Sequence, residues 1–192
     1  MSPLLETWAN ASLRGFRAAS GGGGTDFQLI STQILGTTAA SVTFSSIPST
    51  FRHLQIRMTT RGDFGALTTA LNVRFNGDTA ANYDHHWLRG TGSAATSNSG
   101  TSETGIWLGY TPAGTESASI FAPTIIDVLD YAQTTKNKTL RALYGLSGTS
   151  SSTYVNLDSG FWNNTAAVNS TTIYPTNGNF VTGSRFALYG WN

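Results

Sequence analysis

Residues 122–147 read Ala122-Pro-Thr-Ile-Ile-Asp-Val-Leu-Asp-Tyr-Ala-Gln-Thr-Thr-Lys-Asn-Lys-Thr-Leu-Arg-Ala-Leu-Tyr-Gly-Leu-Ser147. Ile125, Ile126, Val128 and Leu129 form a short apolar run rich in β-branched residues, the composition of a strand covered on both faces, although a buried helix of that length would look similar. A polar loop follows. The return segment then alternates, with Leu140, Ala142, Tyr144 and Leu146 on one face. Two strands joined by a polar loop are thus expected at the centre of an all-β domain.

The same punctuation continues on both sides. Strands are expected over residues 27–35, 41–45 and 53–60, where Leu54, Ile56 and Met58 alternate with His53, Gln55, Arg57 and Thr59. Further strands are expected over residues 71–75, 83–88, 106–110, 153–162, 170–175 and 184–191. Residues 90–104, rich in Ser, Thr, Gly and Ala and without periodicity, read as a surface loop. About ten short strands and no helical pattern point to a two-sheet antiparallel β-sandwich, jelly-roll-like rather than immunoglobulin-like.

Residues 1–25 differ from this. Leu4, Leu5, Trp8, Leu13 and Phe16 fall on one stripe at helical spacing, Arg14 and Arg17 lie beside them, and Gly21 to Gly24 make a hinge. The expected organisation is a docking arm and hinge over residues 1–25 and a sandwich over residues 26–192. The arm, extended or helical, would contact partner proteins through those seven residues; the other readings are an arm folded back onto its own domain and a partly disordered terminus.

Charged residues are 11% of the 192-residue chain, against roughly 25% in ordinary soluble proteins. Hydroxyls and amides keep such a surface wet with little charge repulsion, which suits a subunit packed into an assembly. The formal charge is +1, so no strong field favours nucleic acid or an anionic membrane. Cysteine is absent, no stretch approaches the roughly 20 apolar residues of a membrane helix, and the first residues lack the pattern of a secretory signal.

The chemical motifs are thin. Asp84-His85-His86 suggests a metal, but neighbouring strand residues face opposite ways, and His53 offers no evident third ligand. Arg61-Gly62-Asp63 matches an integrin-binding tripeptide in an expected exposed loop, and a Gly-Asp turn accounts for it. Asp127 and Asp130 would face opposite sides of a strand, with Asp130 pairing with Lys136 or Lys138. No nucleophile elbow or phosphate-binding loop is present. No enzyme, metal or cofactor is expected. Trp87, Trp107, Trp162 and Trp191, with the tyrosines, could line a sugar-binding face or fill core and subunit contacts.

Several segments in order resemble a structural-protein family of tailed bacteriophages. They are Ser41-Val-Thr-Phe-Ser-Ser-Ile-Pro48, Phe51-Arg-His-Leu-Gln-Ile-Arg57, Val73-Arg-Phe-Asn-Gly-Asp78 with Tyr83-Asp-His-His86, and Asp127-Val-Leu-Asp-Tyr-Ala132 with Asn137-Lys-Thr139. Ser159-Gly-Phe-Trp-Asn-Asn-Thr-Ala-Ala167 and Asn179-Phe-Val-Thr-Gly-Ser-Arg-Phe-Ala-Leu-Tyr-Gly190 complete the series. The resemblance implies a virion component assembled in the bacterial host cytoplasm: a capsid decoration (cement) protein, usually a trimer, bound to the major capsid protein. The alternative it implies is a tail or fibre subunit binding host-surface glycan through exposed aromatics and residues 90–104. It supplies no catalytic residues.

Overall fold

The computed structural model describes residues 27–149 and 153–192. The expected arm and hinge, with Leu4, Leu5, Trp8, Leu13, Arg14, Phe16 and Arg17, lie outside the described residues. Twelve strands follow in order. They are β1 (Gln28–Ile34), β2 (Val42–Phe44), β3 (His53–Thr60), β4 (Thr68–Phe75), β5 (Tyr83–Gly90) and β6 (Ala95–Glu103), then β7 (Ile106–Pro112), β8 (Ala122–Leu129), β9 (Lys138–Ser147), β10 (Thr153–Trp162), β11 (Thr171–Pro175) and β12 (Arg185–Trp191).

Every strand pairing is antiparallel. Eight strands form one sheet in the order β1-β12-β3-β8-β9-β10-β5-β6, and four form the other in the order β2-β11-β4-β7. The chain crosses repeatedly between the two sheets, so the architecture is an all-β, jelly-roll-like sandwich, with no helix among the described residues. The expected central pair β8 and β9 occupies the middle of the larger sheet.

Alternation places the core. Leu54, Ile56 and Met58 of β3, Ile126 and Val128 of β8, and Leu140 of β9 pack with Phe186 and Leu188 of β12. Opposite them, the smaller sheet supplies Val42, Phe44, Leu71, Val73, Phe75, Ile106, Leu108 and Ile173. Each such side chain, buried between sheets, contributes about 1.5–3 kcal/mol of transfer free energy.

Three expectations are corrected. First, β8 is covered on one face only: Ile126 and Val128 are buried, while Ile125 is 41% and Leu129 37% exposed. The smaller sheet covers the inner face, and among the described residues nothing covers the outer one. Second, residues 90–104 do not form a loop, because Ala95–Glu103 is the edge strand β6, paired antiparallel with β5. Its residues are exposed on both faces, so no apolar period marks it; backbone pairing to β5 makes the strand. Third, Arg61 of the Arg-Gly-Asp tripeptide is buried. Its guanidinium donates to the carbonyls of Glu116, Ser117 and Ile120, while Asp63 accepts from the backbone N–H and side-chain amide of Asn179. The tripeptide is a structural clamp between loops.

The β8–β9 connection is held by charge. Asp130, in the left-handed region at φ 48°, pairs with Lys136 at 2.8 Å and Arg52 at 3.4 Å. Lys138 is fully buried and donates to the carbonyls of Gln133, Lys136 and Thr165. Burial lowers its pKa, with Asp130 opposing the shift.

Candidate functional site

The smaller sheet is four strands wide against eight. Its edge strand β7 lies over β9, β10 and β5, so the β5–β6 end of the larger sheet projects beyond it. Register fixes what gathers there. On the inner face Tyr144, Asn156, Arg89 and Thr96 form one row across β9, β10, β5 and β6. Ala142, Asp158, Trp87 and Asn98 form the next.

Strand β7 delivers two more rings through a bulge. Ile106, Leu108 and Thr111 are fully buried, and the pairing with β4 slips between Ala70 and Asn72. The extra residue is Gly109, at φ 97°. A Cβ there would sit 1.9 Å from the Tyr144 ring, so only glycine fits. The bulge turns Tyr110 to the side of Trp107, their rings 5.4 Å apart and edge-on.

The result is a box around one cation. The Arg89 guanidinium carbon lies 4.5 Å from the Trp87 ring centre, 5.5 Å from Trp107, 4.8 Å from Tyr110 and 5.1 Å from Tyr154. Trp87 and Trp107 are 5.5 Å apart, and Tyr110 and Tyr154 are 6.0 Å apart. All four rings are half-buried. Arg89 Nε donates to Asn156 Oδ1 at 2.9 Å, and Asn156 Nδ2 donates to Asp158 Oδ1 at 3.0 Å.

Asn156 and Asp158 are buried, and Asp158 Oδ2 has no hydrogen-bond partner. Burial pushes the Asp158 carboxyl up to about 7, against the pull of Asn156 and Arg89. Burial likewise raises the nearby Tyr144 hydroxyl. The arrangement offers stacking faces and a cation, with a carboxylic acid behind them; it holds no nucleophile paired with a base.

The outer face of the same strands has the opposite character. Ile125, Leu143, Leu157 and Leu88 lie directly opposite one another across β8, β9, β10 and β5. They are 41%, 51%, 53% and 52% exposed. The neighbouring row carries Gly145, Val155 and Gly90. A Cβ on either glycine would meet nothing within 4 Å. Nothing among the described residues requires glycine at these two strand positions, and together they leave a shallow apolar lane beside the row. Arg57 flanks the row on β3, and the Arg141–Asp127 pair, at 2.9 Å, lies just above it.

The other sequence candidates are dispersed. His85 faces inward, 6.0 Å from Trp107, and His86 is exposed; burial lowers the His85 pKa. Among the described residues no group of three or more His, Cys, Asp or Glu side chains is placed to hold a metal. His53 accepts a hydrogen bond from the Asp130 backbone N–H and packs on Trp191. Trp162 is core, stacked on Tyr83 with its Nε1 donating to Asp78. Asp127 is held by Gln55 and Arg141, and Asp130 by Arg52 and Lys136.

Among the described tryptophans, only Trp87 and Trp107 meet at the box. Sequence reasoning did not single out Arg89, Tyr110, Tyr154, Asn156 or Asp158. A readable signal existed in β10, where Tyr154, Asn156 and Asp158 alternate with Val155 and Leu157.

No family model matches the chain, and no curated protein does. Among solved structures it is similar to the galectin LEC-6 of Caenorhabditis elegans, with 12% identity, a TM-score of 0.35, and coverage of 81% of this chain and 94% of that one. CG-16, a homodimeric agglutinin from chicken liver, shows 11% identity and a TM-score of 0.30 over 76% of this chain and 98% of that one. The PL-14 alginate lyase from Aplysia kurodai shows 11% identity and a TM-score of 0.24 over 71% and 72%. Likeness at this level bears on neither ligand nor chemistry.

Proposed function

We propose that the chain is a structural subunit of a tailed-bacteriophage virion, a decoration protein that docks on the major capsid shell as a trimer. The observation that supports docking is the uncovered row Ile125–Leu143–Leu157–Leu88 with its glycine lane. Apolar side chains in cross-strand contact on an open face gain about 25 cal/mol per Å² when a partner removes them from water. Eight strands at about 4.8 Å make the face roughly 35–40 Å wide, ample for a standard interface of about 800 Å² per partner. Low charge reduces the desolvation cost of that contact. The shell as partner and the trimeric state rest on the resemblance of the sequence segments.

The test is binding of purified protein to shells that lack it. Leu143→Asp and Leu157→Asp should abolish binding while leaving the melting temperature within a few degrees of wild type, since both sites are exposed. Shell binding unchanged in both variants would reject the reading. A second reading, a tail or fibre subunit that binds a host-surface glycan, is favoured by the meeting of Trp87 and Trp107 around Arg89.

A further inference from the structure

We propose that the Arg89 box binds a carboxylated sugar, the acidic residue of a glycan. The inference rests on the glycan reading and is independent of shell docking. Its first support is the state of the guanidinium. Nε is committed to Asn156, which the buried Asp158 holds in place. Among the described residues neither Nη nitrogen makes a hydrogen bond. A guanidinium fixed by its Nε and free at both Nη atoms matches the two oxygens of a carboxylate.

The surroundings select the rest of the ligand. Trp87, Trp107, Tyr110 and Tyr154 offer apolar ring faces, as the C–H face of a sugar ring requires. Thr96 and Asn98, opposite Arg89 and Trp87 on the projecting strand β6, are exposed and supply a hydroxyl and an amide for sugar hydroxyls. Among the described residues no second cation contacts these rings. A single guanidinium with an acid at its back suits a monoanion better than a doubly charged phosphate. An arginine that merely plugs the open end of the sandwich would show none of the selectivity below.

The experiment titrates the full chain with sialyllactose and digalacturonate, and with lactose and carboxyl-reduced digalacturonate as neutral counterparts. Tryptophan fluorescence, to which Trp87 and Trp107 contribute, follows binding. Acidic sugars should bind at least about tenfold more tightly than neutral ones, equivalent to about 1.4 kcal/mol. Arg89→Lys, which keeps the charge and loses the fork, should remove most of that preference. Should Arg89→Lys fail to fold, Asn98→Asp decides the matter: a carboxylate on the exposed rim should weaken acidic sugars severalfold more than neutral ones.

Equal binding of acidic and neutral sugars would overturn the inference and leave the glycan reading standing. An Asn98→Asp variant with unchanged preference would also overturn it. No binding of any saccharide would overturn both.

Discussion

Strands β3 and β10 flank the central pair of one sheet, and they are built in opposite senses. In β3, Leu54, Ile56 and Met58 face the core, while Gln55, Arg57 and Thr59 face outward. In β10, Asn156 and Asp158 are buried, while Val155 is 61% and Leu157 53% exposed. The first strand follows the partition of apolar and polar groups that drives folding. The second opposes it on both faces over residues 155–158. It buries polar side chains that cost free energy unless paired, and it shows water the groups that would stabilise a core. A strand inverted on both faces is poorly explained by the stability of the lone chain; the inner cluster is suited to a ligand and the outer row to a partner.

The contrast can be broken at its stable end with the largest effect. Ile56→Ala, at a fully buried site, should cost about 2–5 kcal/mol in chemical denaturation; a loss below about 1 kcal/mol would mean that β3 is not the ordinary strand described.

At the inverted end, Asp158→Asn should stabilise the protein at neutral and alkaline pH. The folded chain holds the Asp158 proton up to about pH 7, while the unfolded chain releases it near pH 4. Between these values the folded state binds more protons, so wild-type stability falls as pH rises and levels off above pH 7. The variant should lack that fall, matching wild type near pH 4 and exceeding it at pH 8 by a few kcal/mol. Parallel pH profiles for the two proteins would show that Asp158 is not the group responsible.

The smallest effects are expected outside. Leu157→Ser should change stability by no more than about 0.5 kcal/mol, and Gly145→Ala, into open space, should add about 0.4–1 kcal/mol. Gly145→Ala should nonetheless weaken shell binding by filling the lane. A more stable variant that binds shells as well as wild type would remove the glycine lane from the interface.

How much of this was legible follows from the same contrast. Strand β3 was legible to the residue because its alternation encodes its burial, and so was β10 as a strand, since inversion does not alter the period. What inversion hides is direction: period two alone does not say which face is the core, so nothing in the sequence marks Asn156 and Asp158 as buried. Strand β6 was hidden because both its faces meet water. The box was hidden because it depends on the Gly109 bulge, on the register of four strands, and on β7 stopping short of β6, none of which leaves a local pattern. Trp87 and Trp107 were named from composition; that they meet, and around Arg89, is tertiary. The buried Arg61 carried no sequence cue, since its partners are backbone carbonyls more than fifty residues away.

The sealed ammonium of Lys138 has a practical corollary. The sequence contains two lysines, at 136 and 138, and three carbonyls enclose the second. Amine-directed reagents applied to the folded protein should therefore mark the Lys136 side chain and spare its neighbour, while both become reactive on denaturation. With the α-amino group blocked, a dye or cross-linker can in this way be seated at a defined point beside the Asp130 turn to follow assembly.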